Sequence, residues 1–422
     1  MPECLVFLIM VAVFVVLAMA ARLPVGLALC AAAIAGSLVS GQGLSLRHLV
    51  EGSFGFFDVI LIILTAMVFI KVMQAAGTLD SVTAVLVRAF YRKKALLLFT
   101  AMLLVMFPGM ITGSSAAGVL SAGPLVAPVL MKMGLPRLKT AAFIAMGGIL
   151  GMIAPPVNIL VMIMGGGADI PYVGFAGPLL LIVVPVAIFT ALWLGAKDVR
   201  TVSSREMESI LPLSFFPQYG FRLYLPVILL VVLLAGQRTL AKFMPDPGIP
   251  AIFLLCSLAG LVSGRRFNFF KVTQDAIRDA LPILTILFGV GMFLQMMTLT
   301  GARGWTVMTV LSLPSVFLYA GIALSLPLFG GVSAFGSASI LGVPFILALV
   351  TRNALFTASA LSAIVGLGDL MPPSAIAGRF AAQVSGEKNF FRVLRPCLVP
   401  ALAFLAMSLA VLILAPWLDK VF

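Results

Sequence analysis

Two short stretches carry most of the oxygen that this chain sets deep in apolar sequence. Residues 111–124 read ITGSSAAGVLSAGP and residues 335–344 read FGSASILGVP, each a Gly-Ser cluster followed by glycine and proline. Downstream of each comes a double proline: Pro155 and Pro156, with Asn158 just behind, and Pro372 and Pro373, with Asp369 just ahead. Proline removes a backbone N–H and clashes with the preceding turn, which frees carbonyl groups. Carbonyls, Ser hydroxyls and an Asn amide are the hard oxygen ligands that a small cation takes when carboxylates are scarce. These residue types therefore point to cation coordination at four places, Gly113–Ser115, Pro155–Asn158, Gly336–Ser339 and Leu370–Pro373.

The elements that must position them are set by composition. Of 422 residues, 62% are hydrophobic and 10% charged, with a mean hydropathy of +1.21, far outside the range of soluble domains. A hydrocarbon core of ~30 Å is crossed by roughly 20 helical residues, and such runs fill nearly the whole chain. The expectation is an all-α polytopic membrane protein. Helices are expected at about 3–21, 24–41, 56–77, 140–164, 173–195, 223–241, 248–264, 280–300, 354–378 and 394–416. Residues 95–130 and 306–350 are expected to dip in and return to the same side as helical hairpins. The first of these carries Pro108, Gly113, Gly118, Gly123, Pro124 and Pro128, too many helix breakers for a straight span.

Charge tests that arrangement. With the N-terminus outside, the inner loops collect Arg22, then Arg88, Arg92, Lys93 and Lys94, then Lys132, Arg137 and Lys139, then Lys197, Arg200, Arg205 and Arg222. Later inner loops add Arg265, Arg266, Lys271 and Arg278, then Arg379, Lys388, Arg392 and Arg395. Outside lie Arg47, Arg238, Lys242, Arg303, Arg352 and Lys420, while Lys71 is expected to snorkel toward the inner face. A full crossing at 95–130 would scramble this excess. The first hairpin then enters from inside and the second from outside. From Gly113 to Pro155 is 42 residues and from Gly336 to Pro372 is 36. Residues 1–222 and 223–422 thus read as inverted repeats joined by the polar segment 197–222, a design that places substrate and coupling ions between broken helices. Close packing by small residues explains either cluster alone; matched order and opposed orientation favour a transport site.

Other classes fit poorly. The net charge of +13 is dispersed among loops, which argues against nucleic acid. Cys4, Cys30, Cys256 and Cys397 are scattered and His48 is the only histidine, so neither a disulfide framework nor a zinc site is expected. The N-terminal run has Glu3 and no basic residue before it, so it reads as a helix, not a signal peptide. No phosphate-cradling GxxxxGK[ST] loop occurs.

The run GSSAAGVLSAGPLVAPVLMKMGLPRLKTAAFIAMGGILGMIAPPVN resembles the large membrane subunit of TRAP transporters, the tripartite ATP-independent periplasmic transporters of the ion-transporter superfamily. The resemblance implies an elevator-type carrier in a bacterial inner membrane, where the charge-derived topology puts both termini on the periplasmic side. It further implies a sodium gradient as driving force with no other cofactor, a small four-helix membrane subunit, a periplasmic substrate-binding protein and a small organic anion as substrate. Carried over, a first sodium site involves Gly113, Ser114 and Ser115 with Ala154, Pro155 and Asn158. A second involves Gly336, Ser337 and Ala338 with Leu370, Met371 and Pro373. The second half departs from the family pattern, with GGVSAFGSAS at the hairpin and MPPSAIAG at the break.

Asp369 is the deepest acidic residue expected, and an ionisable group there is a functional candidate by default. Ser339, Ser374 and Arg379 join it as substrate or coupling candidates. Residues 366–369 also spell Gly-Leu-Gly-Asp, the GxGD pattern of intramembrane aspartyl proteases. That chemistry needs two carboxylates sharing a proton, and Asp58 is the only partner on offer, at a helix end. A stand-alone ion-coupled anion carrier is the nearer alternative. The main reading is a secondary transporter in which hairpins and broken helices form one mobile body sliding against the remaining helices.

Overall fold

The computed structural model describes residues 2–200, 213–239, 247–349 and 353–418. Regular structure among them is entirely helical, and seven helical stretches are long and apolar enough to cross a membrane. In chain order the first four helices are α1 (Glu3–Met19), α2 (Val25–Val39), α3 (Leu46–Ser53) and α4 (Phe57–Ala76). They are followed by α5 (Thr78–Phe90), α6 (Lys94–Thr112), α7 (Ser115–Lys132), α8 (Arg137–Ile153), α9 (Ile159–Gly167) and α10 (Ala176–Gly195). The second half continues with α11 (Leu225–Thr239), α12 (Gly248–Ser263), α13 (Phe269–Leu299), α14 (Ala302–Leu311) and α15 (Ser315–Gly330). It closes with α16 (Ala334–Leu349), α17 (Ala354–Gly366), α18 (Ile376–Ser385) and α19 (Phe390–Leu418). Arg205, Lys242, Arg352 and Lys420, assigned to loops by the charge argument, lie outside the described residues.

The helices pack as two bundles. The first gathers α1–α4 with α11–α13; the second gathers α6–α10 with α15–α19. In the first, α2 and α13 cross backbone to backbone, because a Cβ on Gly26 would lie 2.3 Å from Thr285 O and one on Gly289 would lie 2.4 Å from Gly26 O. Small residues permit such close approach between helices in lipid.

Two short helices that the hydropathy pattern did not separate connect the bundles. Residues 306–311, read as the start of the second hairpin, belong to the separate helix α14, so that hairpin begins at Ser315. Its counterpart α5 fills what was read as a loop at 78–90. Both are short, and α5 is amphipathic, features that a window of about 19 residues averages away. Each follows a left-handed glycine: Gly77 (φ +78°) between α4 and α5, and Gly301 (φ +75°) between α13 and α14. At the first joint the connector is packed in tightly. Phe215 N donates to Ser81 Oγ at 2.8 Å, Thr78 Oγ1 donates to Leu223 O at 3.1 Å, and the Arg265 guanidinium lies 5.1 Å from the Phe215 ring centroid. A Cβ on Gly77 would lie 2.5 Å from that ring. At the second joint the nearest group is the Glu3 side chain, 3.1 Å from such a Cβ.

Candidate functional site

The first hairpin, α6–α7, turns at Gly113, which takes φ +63°, a conformation glycine adopts without steric cost. Ser114 caps α7 by accepting from Ala117 N at 3.4 Å. This tip rests on the break between α8 and α9, where Val157 N donates to Met110 O at 3.1 Å and a Cβ on Gly113 would lie 2.5 Å from Ile159 Cγ1. The chain is non-helical from Ala154 to Asn158, with a cis Pro155–Pro156 bond. Asn158, fully buried, caps α9 by accepting from Val161 N at 3.1 Å, and its amide donates to Ile153 O at 2.9 Å and Ser362 Oγ at 3.1 Å. Both amide hydrogens are thus engaged, and one lone pair of Oδ1 remains. Tyr172, which the sequence reading missed, completes the break: its hydroxyl accepts from Asn158 N at 3.1 Å and donates to Pro156 O at 3.0 Å. The sequence candidates Gly113, Ser114, Ala154, Pro155 and Asn158 are therefore brought to one place.

The second hairpin corrects the sequence reading. It turns at residues 331–333, and Ser333 is the cap, accepting from Gly336 N at 3.1 Å as Ser114 does from the residue three ahead. Gly336, Ser337, Ala338 and Ser339 lie within α16, one turn past the tip, where residues 338–342 form a π-turn. Their hydroxyls are committed: Ser337 Oγ donates to Leu326 O at 2.8 Å and Ser339 Oγ to Gly336 O at 3.0 Å. The displacement arises because the Gly-Ser pair lies one turn inside the helix, whose start is marked instead by a serine three residues before a bonded N–H. The tip rests on the second break through Gly331. Ser374 N donates to Gly331 O at 3.0 Å, and a Cβ on Gly331 would lie 2.5 Å from Pro372 O. Here α17 passes through a tight 3₁₀ turn at Leu367–Leu370, then Met371 and the cis Pro372–Pro373 bond. Ser374 Oγ has no partner among the described residues.

A cross-link joins the two halves. Asp369, 4% exposed, accepts a hydrogen bond from Ser115 Oγ, which ties the first tip to the second break. A cavity of about 680 Å³ opens against this link, within the size range of small-molecule sites. One wall holds Ser114, Ser115, Ser121, Val332, Ser333 and Asp369; the other holds Lys71 and Gln74 of α4 with Arg278 and Asp279 of α13. Lys71 does not snorkel away. Its ammonium pairs with Asp279 across the two helices at 2.5 Å. Arg278, read as a loop residue, lines the cavity and makes no hydrogen bond or ion pair among the described residues. Arg379 stacks over Phe390 at 5.5 Å, outside the cavity wall, so it does not join the substrate candidates. Asp58 sits in the first turn of α4, nine residues before Met67 and so roughly 13 Å up the helix from the cavity. Asp279, the other carboxylate on the cavity, is held by Lys71. The site therefore binds and orients polar groups, and no free carboxylate among the described residues is paired with Asp369 for proton-sharing chemistry.

A polytopic helical protein that gathers broken helices, hydroxyls and one carboxylate at a cavity between two bundles is built as a membrane transporter. Residues 10–418 match the family described as tripartite ATP-independent periplasmic transporter, DctM component, and the chain belongs to that family. The fold is also similar to that of the YdaH transporter of Alcanivorax borkumensis, whose structure is described as revealing an unusual topology. That likeness has a TM-score of 0.65 and 17% identity, over 94% of this chain and 98% of the other. MtrF of Neisseria gonorrhoeae, described as illuminating a class of antimetabolite efflux pumps, is similar at a TM-score of 0.60 and 17% identity, over 87% of this chain and 83% of the other. At that identity the likeness is one of fold. No curated protein matches the chain in sequence.

Proposed function

We propose that this chain is the large permease subunit of a binding-protein-dependent carrier that takes a small organic anion across a bacterial inner membrane, driven by sodium. The observation that carries this reading is the convergence of both hairpin tips and Asp369 on one cavity whose opposite wall belongs to the other bundle. In the proposal the second bundle moves as the transport body and the first stays as scaffold, with α5 and α14 as the connecting arms. The two halves act as inverted repeats, with both termini periplasmic. The first sodium ion is held by the Gly113–Ser115 tip with Ala154, Pro155 and the free lone pair of Asn158. The second is held at the Gly331–Ser333 tip with Leu370, Met371 and Pro373, in place of the Gly336–Ala338 set. A small four-helix subunit and a periplasmic binding protein complete the system, as the family description implies.

The charge pattern gives the direction. Lys71 and Gln74 lie in the last turns of α4 and Arg278 in the early turns of α13, close to the basic pair Arg265 and Arg266, where Arg265 N donates to Ala76 O. By the positive-inside rule the cavity then faces the cytoplasm. The test is uptake of radiolabelled organic acids into proteoliposomes holding this chain with its small subunit and binding protein. Uptake that follows an imposed sodium gradient and requires all three components is the expected result. Uptake by this chain alone, indifferent to sodium, would overturn the tripartite reading.

A further inference from the structure

Resting on that reading, we propose that Arg278 is a carboxylate contact supplied by the scaffold, met by the substrate only while the cavity faces the cytoplasmic side. Four charged side chains line the cavity, and three are already engaged. Asp369 accepts from Ser115, and Lys71 and Asp279 neutralise each other. Arg278 alone is left without a partner among the described residues, one position from Asp279 on the same helix. The Lys71–Asp279 pair has two consequences. It occupies the acidic neighbour that would otherwise take the guanidinium or repel an incoming anion, and it ties α4 to α13 where Arg278 emerges. A guanidinium presents N–H donors in a fork that matches a carboxylate, and the wall opposite supplies the hydroxyls of Ser114, Ser121 and Ser333 for the rest of a small polar molecule.

The consequence is asymmetric. Asp369 and the tip serines belong to the bundle that carries the substrate, whereas Arg278 belongs to the bundle that stays behind. Its contribution to affinity therefore exists on one side of the membrane only. Arg278 holds the anion at release and selects for a carboxylate there, without taking part in capture from the other face.

The experiment uses the complete transporter in oriented proteoliposomes, with the radiolabelled carboxylic acid that the wild type accumulates and its uncharged amide as competitor. Exchange is measured with acid supplied at the cytoplasmic face, and uptake with acid supplied at the other. Arg278→Gln is expected to raise the cytoplasmic-face KM about tenfold, the weight of one charge-assisted contact, and to remove the preference for acid over amide at that face. The KM at the outer face is expected to stay unchanged and Arg278→Lys to fall between. Equal KM values for wild type and Arg278→Gln at the cytoplasmic face, or equal changes at both faces, would overturn the inference while leaving the carrier reading intact. So would an effect that vanishes in vesicles lacking anionic lipid, which would assign Arg278 to headgroups. A wild type that moves no carboxylic acid would sink the carrier reading itself, and the inference with it.

Discussion

The two helix breaks look alike in sequence and differ in what they leave open. At the first, Tyr172 and the Asn158 side chain satisfy the groups that the double proline exposes, and Asn158 is fully buried. At the second there is no tyrosine equivalent: Ser374 Oγ has no partner among the described residues, Pro372 and Pro373 are exposed, and Asp369 is held only by a serine from the other half. Irregular backbone in lipid must be satisfied somewhere. The first break is satisfied by its own side chains; at the second, the Asp369 carboxylate lines the cavity. One break thus frames its tip with its own groups, whereas the other is left open, although the two read alike in sequence.

The largest expected effect tests that division. Asp369→Asn removes the carboxylate while keeping the shape and the Ser115 contact. Coupled uptake should fall about 10- to 100-fold, in line with loss of a charge-assisted contact, while thermal unfolding of the purified protein stays at or above the wild-type value, because removing a buried charge does not weaken packing. Unchanged coupled uptake would show that the second break is no more active than the first. Next comes the frame. Tyr172→Phe strips both hydrogen bonds from a buried break and should cost about 1–3 kcal/mol, visible as a lower unfolding temperature; an unaltered one would mean that the first break is not fixed by that hydroxyl. The smallest effect concerns the corrected tip. Ser333→Ala removes a cap worth about 1 kcal/mol, and should raise the sodium concentration for half-maximal uptake about fivefold, whereas Ser337→Ala, one turn deeper, should leave it alone. The reverse order would restore the Gly-Ser reading of that hairpin.

Much of this was legible in the chain. The double prolines, the helix breaks they impose and the first tip at Gly113–Ser114 followed from breaker chemistry, and the family was readable from the run 113–158. The second tip was misplaced by one turn because Ser333 stands in an apolar GGVSAF run with no adjacent Gly-Ser to announce it. Tyr172 was missed since a tyrosine 14 residues beyond Asn158 has no local signature; only the folding back of the loop after α9 brings them together. Lys71 and Arg278 were read by the general habit of basic residues at helix ends, and that habit cannot foresee that Asp279 lies across from Lys71. The short helices α5 and α14 escaped because hydropathy averages reward uniform spans of membrane-crossing length.

The Phe215 ring at the Gly77 joint has a mechanical meaning. A left-handed glycine is where a chain bends most easily, yet this one has an aromatic shim slid beneath it, held by a cation and a hydroxyl. Swinging α5 would require lifting that ring off Arg265 and parting its amide from Ser81, whereas α14 is held by Arg303, which donates to Gly167 O, and by Trp305 against Phe7. The two pivots are therefore latched by different parts, one by the strip of chain that joins the halves and the other by helices on either side of it.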